Sequence, residues 1–138
     1  MELSPGRRSQ STLAQLKDVT PLFPVSDIHD AKTFFVDVLK FECRFQQENY
    51  AYLKFDDVAI RLIEVGDDVD LEDPRTQQSC YIDVEGLDDL YAMLKPGLEL
   101  MPEGRVRAPF NQSYGQREFH VIYEALLLFY GESIHQKA

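Results

Sequence analysis

The sequence predicts an α+β domain built from two βαβββ modules, and three observations carry that prediction. The same order of elements occurs twice along the chain; within each half the apolar spacing changes from a helical period to a period of two; and an acidic stretch without periodicity lies between the halves. Repetition of this kind implies two curled mixed sheets, each packing one face on its own helix and turning the other toward a cavity. The domain spans 17–138, with module one at 17–65, an acidic linker at 66–77 and module two at 78–132; residues 1–16 read as a loose polar arm whose Leu13 and Leu16 are placed to dock on the body or on a partner chain.

Module one opens with an apolar run, Val19 to Val25, interrupted by Pro21 and Pro24. Asp27 then stands as a helix N-cap, because its short side chain can accept a backbone N–H of the first turn. Ile28, Ala31, Phe34, Phe35, Val38 and Leu39 recur at steps of three and four and define one helical face. After Lys40 the period becomes two: Phe41, Cys43 and Phe45 alternate with Glu42, Arg44 and Gln46, which predicts a strand with one buried side. Tyr50 to Phe55 and Val58 to Val65 follow as hairpin strands about Asp56-Asp57.

Module two repeats this series. Cys80 to Val84 reads as a strand, Leu87, Leu90, Tyr91 and Leu94 as the buried stripe of a helix that Pro96-Gly97 ends, and Arg105 to Phe110 as a weak strand broken by Pro109. Gln116 to Tyr123 and Ala125 to Tyr130 complete it, with Tyr123-Glu124 as the counterpart of Asp56-Asp57.

A chain of 138 residues buries roughly two-thirds of its unfolded surface, enough for a core without disulfides. Cys43 and Cys80 accordingly read as small apolar strand residues. No apolar run has the length of a signal peptide or a membrane span, so a cytoplasmic protein is expected. The net charge of −10 argues against nucleic acid and favours cations. Glu64, Asp67, Asp68, Asp70, Glu72 and Asp73 concentrate that charge in a solvated connection; they lack the glycine and the ligand spacing of a calcium loop.

Three segments resemble a known family. Asp27 to Phe41 is similar to the first module of the glyoxalase, bleomycin-resistance and extradiol dioxygenase (vicinal oxygen chelate) superfamily. Gly86-Leu87-Asp88-Asp89-Leu90-Tyr91-Ala92 resembles the second-module helix of its bleomycin-resistance group, and Tyr114-Gly115-Gln116-Arg117-Glu118-Phe119 that group's Trp-Gly-Arg-Glu-Phe segment, with Tyr for Trp and one extra residue. The likeness runs from Thr20 to Glu132.

The resemblance implies a choice between metal-dependent enzymes and metal-free binders. Enzymes of the superfamily place His, Gln or Glu ligands on the first and last strands of each module, where this chain has Thr20 and Pro21, Arg61 and Leu62, Ser79, and Leu128 and Phe129. A catalytic metal needs about three protein ligands, so neither metal nor cofactor is expected. Of the three histidines, His29 opens a helix, His135 lies in the tail, and a lone strand residue such as His120 is more often hydrogen-bonded structure than a ligand. Glu118 could act as an acid only if buried with a raised pKa.

A binder needs an apolar groove, aromatic faces and complementary charge. By the resemblance, Tyr50 and Tyr114 correspond to the aromatic pair that sandwiches bleomycin's planar bithiazole, in a domain-swapped homodimer where Tyr50 of one chain meets Tyr114 of the other. Arg117 and Glu118 flank Tyr114, and Phe45 and Phe129 are further wall candidates, although strand aromatics of this kind usually fill cores. Arg44 stands where related drug binders tend to carry an acid, and Lys40 where a Gly is common. The expected function is therefore sequestration of a glycopeptide-type antibiotic or similar planar cation. The alternatives are a lyase or dioxygenase with an atypical metal site, and a dimeric interaction module.

Overall fold

The computed structural model describes residues 13–134. Two four-stranded mixed sheets share one strand order: β1-β4-β3-β2 in module one and β5-β8-β7-β6 in module two. The strands are β1 (Leu22–Val25), β2 (Glu42–Gln47), β3 (Tyr50–Phe55), β4 (Val58–Glu64), β5 (Gln78–Asp83), β6 (Val106–Asn111), β7 (Gln116–Tyr123) and β8 (Leu126–Ser133). The first strand of each module runs parallel to the last, and the other pairs are antiparallel. Helix α1 (Ile28–Thr33) covers the first sheet and α2 (Leu87–Leu98) the second.

Asp27 caps α1 by accepting the Asp30 N–H at 2.9 Å. The helix does not stay regular to its end. Phe34–Val38 forms a π-helical turn, and Lys40 leaves it in the left-handed region at φ 66°, the conformation that explains a glycine preference there. The wider turn buries Phe35 and Leu39 beneath the first sheet and sends the Phe34 ring to stack on Tyr123 of the other module at 4.6 Å.

Each helix start is also held by a glutamate from the last strand of its sheet. The Ile28 N–H donates to Glu64 at 2.9 Å, and the Gly86 and Leu87 N–H groups both donate to Glu132 at 3.0 Å. Glu64 thus belongs functionally to the α1 cap rather than to the acidic connection. Those amides hold the Glu132 carboxyl below the usual carboxylate range.

Both core faces and both helices meet in one cluster that includes Phe23, Phe35, Leu53, Leu62, Leu94 and Phe119. Pro96 and Gly97 do not end α2; the helix continues to Leu98, which is 2% exposed. Burial of Leu98 outweighs the lost Pro96 N–H, and Gly97 packs closely on Val38, where a Cβ would lie 3.3 Å from the backbone.

Three further expectations are corrected. Phe45 does not fill the core; β2 shifts register between Cys43 and Phe45, and this bulge at Arg44 turns the ring outward to 50% exposure. The β7–β8 turn is Glu124-Ala125, with Glu124 at φ 51° matching Asp56 at φ 52°, because Tyr123 still pairs with Leu126 in the ladder. The break foreseen at Pro109 is a second register shift, between Arg107 and Phe110, within a continuous strand.

The connection between modules is ordered by its own carboxylates. Asp70 accepts from the Glu72 N–H and Asp73 from the Arg75 N–H, while Leu71 is buried. Leu13 and Leu16 are exposed rather than docked on the body. His135 and residues 1–12 lie outside the described residues.

Candidate ligand-binding site

Alternation along the strands sorts side chains into a core face and an open face. On the first sheet, the aligned residues Leu22, Arg61, Tyr52 and Phe45 form one cross-strand row on the open face, and Pro24, Ile63, Tyr50 and Gln47 form the next. The Phe45 and Tyr50 rings lie 6.0 Å apart, Arg61 donates to the Tyr50 hydroxyl, and its guanidinium sits 4.6 Å above the Tyr52 ring. Arg44 is held aside by an ion pair with Glu42 at 3.0 Å.

The second sheet carries the corresponding row Tyr81, Phe129, His120 and Arg107, with Glu118 in the next row opposite Gly131. Glu118 is fully buried and its carboxylate is saturated with donors. Tyr114 and Tyr81 donate to Oε2 at 2.6 and 2.8 Å, and Gln112 donates to Oε1 at 3.1 Å, where His120 Nε2 also binds at 2.9 Å. Burial pushes this carboxyl up, but the four hydrogen bonds together outweigh it and hold the group down at about 2. The buried position required of an acid catalyst is present and the raised pKa is not. The Tyr114 phenol is raised by the same hydrogen bond, and the Tyr81 phenol by burial and then Glu118, so both keep their protons and remain donors.

Gly131 makes this cluster possible. A Cβ at that position would fall 1.9 Å from the Tyr81 hydroxyl, so glycine alone lets the ring cross β8 to reach Glu118. Phe129 joins the cluster through Tyr81, stacked at 6.0 Å, and through His120, at 4.3 Å. Tyr114 remains 60% exposed above it. Arg117 does not join: it projects to the opposite side of β7, where Asp88 of α2 holds it at 3.1 Å, and we place it outside the site.

The expected residues therefore fall into two groups on two sheets, Phe45 with Tyr50 and Tyr114 with Glu118 and Phe129. Among the described residues, no hydrogen bond or ring stack joins the two groups. Among those residues, no three His, Cys, Asp or Glu side chains are placed to hold a metal ion. Tyr81 and Gln112 are anchors that sequence reasoning passed over, while His120, read as a hydrogen-bonded strand residue, holds Glu118 in that way. The period of two would have found Tyr81, since Tyr81, Glu118 and His120 alternate with buried Ile82, Phe119 and Val121, whereas Gln112 lies between strands with no such signal.

The chain is 30% identical over 119 residues to the bleomycin resistance protein of Geobacillus stearothermophilus, an alignment spanning 74% of this chain and 85% of the relative. The chain belongs to the bleomycin resistance protein family. No family model matches it. The fold of this bleomycin resistance family member is shared with the bleomycin-binding protein of Streptomyces verticillus solved with copper(II)-bleomycin, at TM-score 0.68 and 20% identity over 86% of this chain and 97% of that one. It is shared as well with a glyoxalase-related enzyme from Clostridium phytofermentans, at TM-score 0.66 and 15% identity over 88% and 98%. One scaffold thus serves a binder and an enzyme relative, and the side chains on the open faces must distinguish them.

Proposed function

We propose that two copies of this chain sequester a planar, cationic antibiotic of the bleomycin type in the cytoplasm, holding it without covalent change. The observation that carries the reading is a fully buried, ionised carboxylate beneath exposed aromatic rings. Glu118 contributes a negative charge that no described Lys or Arg neutralises, while Tyr114, Tyr81 and Phe129 offer flat apolar surface around it. Such a face attracts a cation through both its charge and its ring quadrupoles. The metal-dependent lyase or dioxygenase remains the rival, and its support is the fold shared with the glyoxalase-related enzyme; stoichiometric metal in the purified protein would favour it.

The shared-site arrangement has support of its own. Aromatic rings lie on the open side of each sheet, Phe45, Tyr50 and Tyr52 on the first and Tyr81 and Phe129 with Tyr114 on the second, and two copies facing sheet to sheet would join them. Tyr50 and Tyr114 would then meet across the dimer. In calorimetric titrations with bleomycin, Tyr114→Ala is expected to weaken binding by about 1 kcal/mol or more, whereas Tyr114→Phe, which keeps the ring, loses less. Mixing refolded Tyr50→Ala and Tyr114→Ala chains is expected to restore a fraction of full-affinity sites, because each mixed dimer joins one intact Tyr50 to one intact Tyr114. No restoration would reject the shared site, and equal affinity of Tyr114→Ala and wild type would reject stacking.

A further inference from the structure

The duplicated fold contains two seams, each where the hairpin turn of one module faces the strand-to-helix junction of the other. In the first, the β7–β8 turn is latched to the β1–α1 junction: the Ser26 N–H donates to Glu124 Oε1 at 3.0 Å and the Ser26 hydroxyl donates to Oε2. Phe34 stacks on Tyr123 and fills the space behind the latch.

The second seam has the same parts with different chemistry. Asp56 takes the place of Glu124 in its turn, and Glu85, next to the Gly86 cap, takes the place of Ser26 next to the Asp27 cap. A hydrogen-bonded pair in one seam is thus a pair of like charges in the other. Phe34 is replaced, at the same distance from the helix start, by Met93, which is 49% exposed and does not enter the seam. Phe55, the counterpart of Tyr123, turns its ring to Phe41 instead.

The result is an open cleft of about 500 Å³, the size of a small-molecule pocket. Asp56, Asp57, Asp83 and Glu85 line it together with Phe55, Val58, Val84 and Leu90, and the buried Phe41, Ile82 and Tyr130 border it. One polar group at that border is unsatisfied. Tyr130 is 4% exposed, and its hydroxyl has no hydrogen-bond partner.

We propose that this second seam is a ligand site in its own right, separate from the open sheet faces, for an organic ammonium ion carried on a flat apolar body. The carboxylates receive the ammonium, and Phe55, Val58, Val84 and Leu90 receive the apolar body. No three described His, Cys, Asp or Glu side chains are placed to hold a metal ion.

Tryptamine, with its neutral analogue tryptophol, titrated into the ¹⁵N-labelled full chain tests the proposal. Tryptamine is expected to shift the amides of residues 55–58 and 82–85 saturably, with tryptophol binding more weakly. The Asp56→Asn/Glu85→Gln double variant is expected to weaken tryptamine binding, read at those amides, about fivefold. Shifts confined to the open sheet faces, no saturable shift, or an unchanged affinity in the double variant would each overturn the proposal. The readout is residue by residue, so failure of bleomycin binding around Glu118 stays distinguishable from failure at the seam.

Discussion

At the scale of single residues, Glu118 governs the open face of the second sheet. Burial opposes its charge, but donors from Tyr114, His120, Gln112 and Tyr81 prevail and lower its pKa from 4.5 to about 2. A carboxyl whose pKa is lower folded than unfolded stabilises the fold above the unfolded value and loses that contribution as pH falls through the folded one. The contribution of Glu118 is therefore complete above about pH 4.5 and is lost toward pH 2. Urea unfolding followed between those limits is expected to give a slope with pH that Glu118→Gln reduces; an identical slope in the variant would remove Glu118 from the account. Cys80 differs in kind: burial pushes its thiol up to about 11, which leaves little thiolate at neutral pH and fits the apolar role read from the sequence.

At the scale of elements, α2 is held by packing against local preference. Pro96 lies within it, and Gly97 allows the close approach to Val38. Gly97→Ala is expected to destabilise the protein by about 1–3 kcal/mol in chemical denaturation, as overpacking does. A stabilised variant would mean that the helix propensity of alanine exceeds the cost of the contact. This element also marks the limit of what the sequence discloses. Asp27 and the Asp56-Asp57 turn were legible because a cap and a tight turn depend on neighbours in sequence. The continuation of α2 past Pro96 was not, because it depends on Leu98 and Val38, which meet the helix only in the folded chain. The same reason hid the Glu64 and Glu132 caps, each reaching more than thirty residues along the chain. Phe45 escaped because a bulge moves a side chain to the other face without changing the period of its sequence. Of the site, Tyr50, Tyr114, Glu118 and Phe129 could be named in advance, but the carboxylate-centred cluster that unites the last three depends on Gly131 leaving room for Tyr81.

At the scale of the whole molecule, duplication supplies two sheets of one topology, and divergence gives them different open faces. The first presents Tyr50, Tyr52 and Phe45 with Arg61, and the second presents Tyr114, Tyr81 and Phe129 over Glu118. The chain as a whole carries a charge of −10, which adds a long-range attraction for cations that salt screens. Among the described residues no helix is long and apolar enough to cross a membrane. By the proposed function, these faces bind a bleomycin-type antibiotic and leave it chemically intact. Calorimetric titration of the full-length protein with bleomycin at low and high salt, followed by recovery of the ligand, tests it most directly. The account predicts saturable binding that weakens as salt rises, with bleomycin recovered unaltered; absence of heat at both salts, or recovery of a modified ligand, would contradict it.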